Sequence, residues 1–303
     1  MMVFLMFTVS LGIFNATVAR TILSNSEKGI RYSTGADLVL QQPWEDNSLA
    51  LSYYPDLELT YTEPDFGVYE SMEGVKSAAK VYRNDEIETS YNKKSGDSEV
   101  RTTLMAIDTK SFGETVSDFQ QDLLPVHINR YLNAMAKRTD AVLLSMNYHK
   151  KHGIEIGDRI TFTNDEGVEA EGVVYGFFDY FPGYIAQTHS LNEEETLVTT
   201  ENYLIVANLA QIQHTYGLRP YQVWLKTAGT SQFIYDYAKE NNISYTTFED
   251  VSSKMIAVKN DALFQGTNGI LTMSFIVILI LCCTGFLIYW ILSIRQRELL
   301  FGV

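Results

Sequence analysis

The chain has 303 residues, 46% of them hydrophobic and 20% charged, with 23 Lys and Arg against 37 Asp and Glu, for a formal net charge of -14. That acidic balance excludes a nucleic-acid binder, whose phosphate contacts need clustered Lys and Arg. Apolar residues are concentrated at the two ends, so the average conceals two membrane-length segments around a polar middle.

Residues 1–19 carry no charge, and Arg20 is the first. This segment reads as an uncleaved transmembrane helix. The competing reading is a signal peptide, although neither a basic leader nor a clear small-x-small cleavage site is present. Helical spacing continues through residues 16–30 and predicts an extension beyond the membrane as a stalk. Residues 36–40 read as a strand. Residues 41–65 read as loop, broken by Pro43, Pro55 and Pro64. A short helix over 66–72 follows, then strands over 78–82, 87–91 and 102–107, with a turn-rich connector at 93–97.

The middle of the chain predicts a helix over 125–137, a strand over 141–144 and a helix over 146–152 with Ser145 as its cap. Gly153 to Asp158 reads as a helix stop and turn. Residues 159–163 and 169–177 alternate as a hairpin around 164–167. Residues 174–184 are dense in aromatics and end in a Pro-Gly turn. They read either as a core strand entering that turn or as an exposed aromatic loop, with Phe181 and Tyr184 as its contacts for lipid, peptide or a partner. Glu193 to Glu195 form an acidic run, read as a solvated loop. Residues 203–206 predict a strand and 209–216 a helix.

Near the end, a strand over 221–226, a helix over 230–241 and a strand over 243–248 form one unit. Phe233, Ile234, Tyr237 and Ala238 share one face of that helix. A helix over 249–265 is expected to run directly into the second span, residues 269–294, which carries no charged residue over 26 positions. At about 1.5 Å per residue that span is roughly 39 Å long, enough to cross a bilayer core with some tilt. Arg295 and Arg297 follow at once and place this end in the cytoplasm by the positive-inside rule. The middle is then extracytoplasmic. The two cysteines, Cys282 and Cys283, both lie in the second span, so no disulfide is available to the exported region.

No catalytic constellation stands out. Of the five histidines, His149 and His152 are the closest pair, but a zinc site needs three or four ligands, and Lys150 and Lys151 repel a cation. They read as surface residues. There is no P-loop, no G-x-G-x-x-G and no nucleophile elbow, so neither a cofactor nor an enzymatic activity is expected.

The order of helix, extracytoplasmic domain, helix and the segment Arg295, Arg297, Glu298, Gly302 resembles the FtsX-like permeases of ABC transporters, which include the MacB type. Residues 141–145, 153–158 and 173–176 resemble the strand, Gly-Asp turn and strand of the MacB-like periplasmic core domain. The resemblance implies an α+β fold with two transmembrane helices, helical stalk extensions and a two-subdomain extracytoplasmic domain in residues 20–268. Residues 20–115 and 217–268 would form the stalk and a porter-like subdomain, and 116–216 an inserted strand-rich subdomain. It further implies a cell-membrane location, a cytoplasmic ABC ATPase subunit as partner alongside the lipid bilayer and a second permease copy, and mechanotransmission through the stalk. Arg295, Arg297 and Glu298, in the cytoplasmic segment 295–303, would be the ATPase-coupling residues. Family permeases have at least four membrane helices, so the chain is expected to be part of a longer permease or a broken reading frame. A two-span sensor with an extracellular ligand domain, of the chemoreceptor or histidine-kinase type, fits the same hydropathy.

Overall fold

The computed structural model describes residues 2–54, 56–91, 100–116, 118–192 and 196–301. The expected connector at 93–97, the acidic run 193–195 and Gly302 lie outside the described residues. The chain divides into two compact units: Arg31–Ser252, and Met1–Ile30 together with Ser253–Val303.

The chain opens with helix α1 (Met2–Thr34), strands β1 (Leu38–Gln41) and β2 (Glu45–Asp46), helix α2 (Ser48–Leu51), β3 (Tyr61–Thr62) and α3 (Gly67–Ser71). Then come β4 (Val75–Ser90), β5 (Val100–Ile107), α4 (Thr109–Thr115) and α5 (Ile128–Met135). Strand β6 (Ala141–Ser145) leads into a π-helical turn, Tyr148–His152, followed by β7 (Arg159–Thr163) and β8 (Glu169–Phe178). A hairpin of β9 (Gln187–Leu191) and β10 (Leu197–Glu201) precedes β11 (Leu204–Asn208) and α6 (Leu209–Tyr216). The chain continues through β12 (Gln222–Thr227), α7 (Gln232–Glu240), β13 (Thr247–Asp250), α8 (Val251–Asn260) and α9 (Ala262–Phe301).

One nine-stranded sheet organises residues 31–252, in the order β13-β1-β12-β4-β5-β11-β6-β8-β7. The first five strands come from the two outer segments of the domain and the last four from residues 116–216, meeting at the parallel β5–β11 pair. Strand β4 is 16 residues long and shifts register between Asn84 and Ile87. Before that bulge its free side pairs with β12 (Val81 opposite Gln222), and after it with β7 (Glu88 opposite Thr163). A bulge bends a strand and sharpens its twist, and here it lets one strand serve two neighbours. The ring β4-β5-β11-β6-β8-β7 thereby closes on itself, a six-stranded barrel attached to an open four-stranded sheet.

Alternation along the strands sorts the core into two faces. Leu38, Leu40, Ala78, Leu104, Val142, Leu144, Phe162, Val174 and Ile205 share the face that becomes the barrel interior. Val39, Val81, Met105, Ile107, Leu143, Val206 and Trp224 share the other. Phe112 of α4 and Ile128, Leu132 and Met135 of α5 cover that second face. Every residue of β6 is buried, which explains the apolar run of its first four residues. Burying each large aliphatic or aromatic side chain contributes about 1.5–3 kcal/mol. Helices α4 and α6 begin where Asp108 and Asn208 accept hydrogen bonds from the Ser111 and Ala210 amides. Gly153 ends the π-helical turn at φ 62°, as the helix stop predicts.

Several expectations change. The strands expected at 78–82 and 87–91 are one strand, because the bulge interrupts pairing with β5 without ending the strand. Ser145 does not cap the helix after it: its hydroxyl accepts from the Leu204 amide and donates to Asn147, binding β6 to β11. The strand expected at 243–248 begins only at Thr247, since the Ile243 amide closes the end of α7 onto Ala238. The helix expected over 249–265 is split. Glu249 and Asp250 pair with β1, and at Asp261 a new helix starts, its carboxylate accepting from the Phe264 amide. The hairpin β9–β10 carries no strong sequence pattern and was not expected.

Candidate functional site

Helix α9 is 40 residues long and holds an apolar stretch, Ala262–Arg295, of which no part is buried. Ile280, Leu287, Ile288, Tyr289 and Trp290 are each more than half exposed. A helix that is apolar all round and unburied is suited to hydrocarbon, not to water. Helix α1 holds a second, less apolar stretch long enough to cross a membrane, within Met6–Thr34. The two helices touch through small and polar side chains. Thr8 Oγ1 lies 2.6 Å from Cys282 Sγ, and Asn15 donates to the Leu271 carbonyl at 2.9 Å. Gly12 lies under the Phe275 ring, where an added Cβ would come within 2.6 Å. Thr8 and Asn15 are both buried despite their lipid-like surroundings, as polar glue between membrane helices is. The helix runs on without a break past Arg295, which is exposed, through Arg297 and Glu298 to Phe301.

Phe181 and Tyr184 are not exposed contacts. They are 1% and 5% exposed, so the core reading of the aromatic run holds. Phe181 stacks on Phe112 with ring centroids 5.6 Å apart and packs on Phe178 at 5.0 Å. Tyr184 meets Phe178 edge-on and donates to the Asn202 carbonyl at 2.8 Å. The Pro-Gly turn reverses the chain over the Trp224 indole, and a layer of aromatics seals there because each ring offers large apolar area. Tyr180 and Ile185, beside the turn, are exposed large side chains of this loop.

Next to this layer a polar cleft of about 750 Å³ runs across the second face of the sheet, lined by Arg83, Asp85, Arg101, Thr103, Glu201 and Glu249 among others. Both arginines of the cleft are paired. Arg83 Nε donates to Asp85 at 3.1 Å, and Arg101 to Glu86 at 2.7 Å. A second cavity of about 500 Å³ on the far side of Glu201 is lined by Lys150, Lys151, Asp179 and Tyr180. Lys151 Nζ lies 2.6 Å from Glu201 Oε2, and this contact raises the lysine pKa.

Of the two histidines read as surface residues, His149 is one and His152 is not. His152 is half-buried, its Nδ1 bonded to the Tyr91 hydroxyl and its Nε2 to the Tyr203 hydroxyl at 3.0 Å. His149 is exposed, with Nδ1 2.8 Å from the Ile154 carbonyl. Among the described residues no cluster of three His, Cys, Asp or Glu side chains could hold a metal. Inside the barrel, Tyr148 bonds to Thr89 at 3.0 Å and to Thr102, and burial raises its phenol pKa. The partners of His152 lie 61 and 51 residues away, so spacing along the chain could not reveal them.

Two apolar helices flanking a sheet-rich domain define a membrane protein of mixed α+β architecture. No family model matches the sequence, and no curated protein matches it. Solved structures similar to this chain include two domains of membrane transport proteins, each at low identity. One is the extracellular domain of the noncanonic ABC-type transporter YknZ from Gram-positive bacteria, 12% identical, covering 68% of this chain and 96% of its own, with a TM-score of 0.36. Another is a domain assigned to a permease protein of Porphyromonas gingivalis, 11% identical, covering 69% of this chain and 86% of its own, with a TM-score of 0.38.

Proposed function

We propose that the chain is permease sequence of an ABC transporter of the mechanotransmission type, in which a cytoplasmic ATPase moves an extracytoplasmic domain to export a substrate or to handle lipid or peptide. The observation that carries this reading is the single unbroken helix α9, which joins an unburied apolar span to the segment holding Arg295, Arg297 and Glu298. A rigid helix transmits displacement along its axis, so a push at that segment would be felt at the far end of the span.

In this reading residues 31–252 lie outside the cytoplasm, the segment from 295 onward lies inside it, and the chain itself hydrolyses nothing. ATP hydrolysis belongs to the partner subunit, which Arg295, Arg297 and Glu298 contact. Residues 20–115 and 217–268 are the stalk and porter-like part, and residues 116–216 are the insertion. The sheet order supports that division, since among the described residues the strands of the two parts pair at two seams, β5 with β11 and β4 with β7.

The test is affinity purification of the intact protein from mild detergent. A P-loop ATPase should co-purify, and changing Arg295→Glu together with Arg297→Glu should remove it while the domain stays folded. Recovery of a kinase or signalling adaptor with no ATPase would overturn the reading.

A further inference from the structure

Residues 32–75 contain nine Asp and Glu and no Lys or Arg. Within this stretch lies a loop closed at its base. Strands β2 and β3 pair Glu45 with Thr62 and Asp46 with Tyr61. Inside them Asn47 acts as a clasp. Its Oδ1 accepts from the Thr60 amide at 2.8 Å, and its Nδ2 donates to the Glu58 carbonyl at 2.9 Å. Trp44, just outside the clasp, meets Tyr221 edge-on at 4.9 Å and fixes the loop to the domain.

The tip of this loop presents Leu49, Tyr53, Tyr54 and Leu57, exposed by 78%, 76%, 67% and 48%. Backbone bonds from the Tyr53 and Tyr54 amides to the Ala50 carbonyl, and from the Leu57 amide to that of Tyr54, hold them in turns. Four exposed large apolar side chains thus fall within positions 49–57, a concentration unlike apolar residues scattered singly over a surface. Glu45, Asp46, Asp56 and Glu58 flank these residues and are all exposed.

We infer that this loop is a docking knob for a partner protein whose surface offers an apolar pocket rimmed by Lys and Arg. Protruding side chains fit a concave partner, and tyrosines are frequent anchors of protein interfaces. The acidic rim selects the charge of that partner, because complementary potential speeds encounter and like charge is penalised. The same rim opposes a second copy of this loop and an anionic lipid surface. The inference does not depend on the transporter reading.

The test places the photoreactive residue p-benzoylphenylalanine at Tyr53 of the full chain, in its native membranes. Irradiation should give a dominant protein adduct whose cross-linked peptide carries Lys or Arg beside apolar residues. Glu45→Lys, Asp56→Lys and Glu58→Lys combined should cut adduct yield about tenfold. Salt raised to about 0.5 M should cut it several-fold by screening. Leu49→Ser with Tyr54→Ser should abolish it, and an unchanged circular dichroism melt would show that the domain is intact. The same photoreactive residue at Tyr235, on α7, should give no such adduct. The proposal is overturned by an adduct with lipid, with another copy of this chain or with a non-basic peptide, by a yield indifferent to the charge reversals, or by no adduct. An ATPase that still co-purifies after such a failure leaves the transporter reading standing.

Discussion

The sheet domain and the helix α9 use similar apolar residues in opposite ways. In residues 31–252 the leucines, isoleucines and valines of the central strands are almost fully buried. Along α9, Ile270, Leu281, Leu287 and Ile288 are exposed by 56–70%. Composition is therefore not what decides burial. The domain pairs each apolar face with another inside one chain, whereas α9, apart from its contact with α1, leaves its circumference for a different solvent. Truncating a side chain should be costly where the protein supplies the neighbours and nearly free where lipid does.

The largest effect is expected at Trp224, 1% exposed and packed on Phe112. Trp224→Ala should cost the domain about 3–5 kcal/mol in denaturant unfolding. Next is Gly35, at φ 89°, where an added Cβ would lie 2.4 Å from the same indole. Gly35→Ala should cost about 2 kcal/mol, combining strain with overpacking. In the membrane unit, Asn15→Leu removes one hydrogen bond to the Leu271 carbonyl and should weaken association of the two helices by about 1 kcal/mol, read by a helix-association assay in bilayers.

A smaller, pH-dependent effect is expected at Glu63. Burial pushes its carboxyl pKa up, but hydrogen bonds from Lys80 and Tyr221 and the lysine charge outweigh burial and leave it below the usual value. A lowered folded pKa stabilises above the unfolded value and is lost as pH falls. Glu63→Gln should cost under about 1 kcal/mol at pH 7, and its difference from the parent should fade below about pH 4. Smallest of all, Ile288→Ala on α9 should leave stability in detergent unchanged within error. A loss as large as that at Trp224 would mean that α9 is packed against protein and would break the contrast between the two regions.

Much of this was legible along the chain. Residues 141–144 announce a strand by their apolar run, and residues 209–216 announce a helix. The span 269–294 is visible from its lack of charge. What was hidden depends on partners distant in sequence. The bulge in β4 is decided by β12 and β7 competing for one side of it. The hairpin β9–β10 alternates weakly because every residue but Glu201 is exposed, which removes the pressure that writes a pattern. Phe181 and Tyr184 could be assigned to core or surface only once the layer of Phe112, Phe178 and Trp224 was assembled around them. The exposed apolar side chains of loop 47–60 were concealed because Pro43, Pro55 and Pro64 mark residues 41–65 as loop without saying what it displays.

The chain enters the sheet on β1 and leaves it on β13, and these strands are adjacent, with Leu38 opposite Asp250. Asp37 fastens this doorway. Its carboxylate binds Arg31 and the Thr227 amide, and its carbonyl accepts from the Val251 amide. The domain is thus mechanically anisotropic. Moving both chain ends together carries the two strands as a block, with every rung of their ladder sharing the load. Pulling the ends apart opens the ladder like a zipper, one rung at a time, beginning at Asp37. Such a doorway is weakest against a splaying pull.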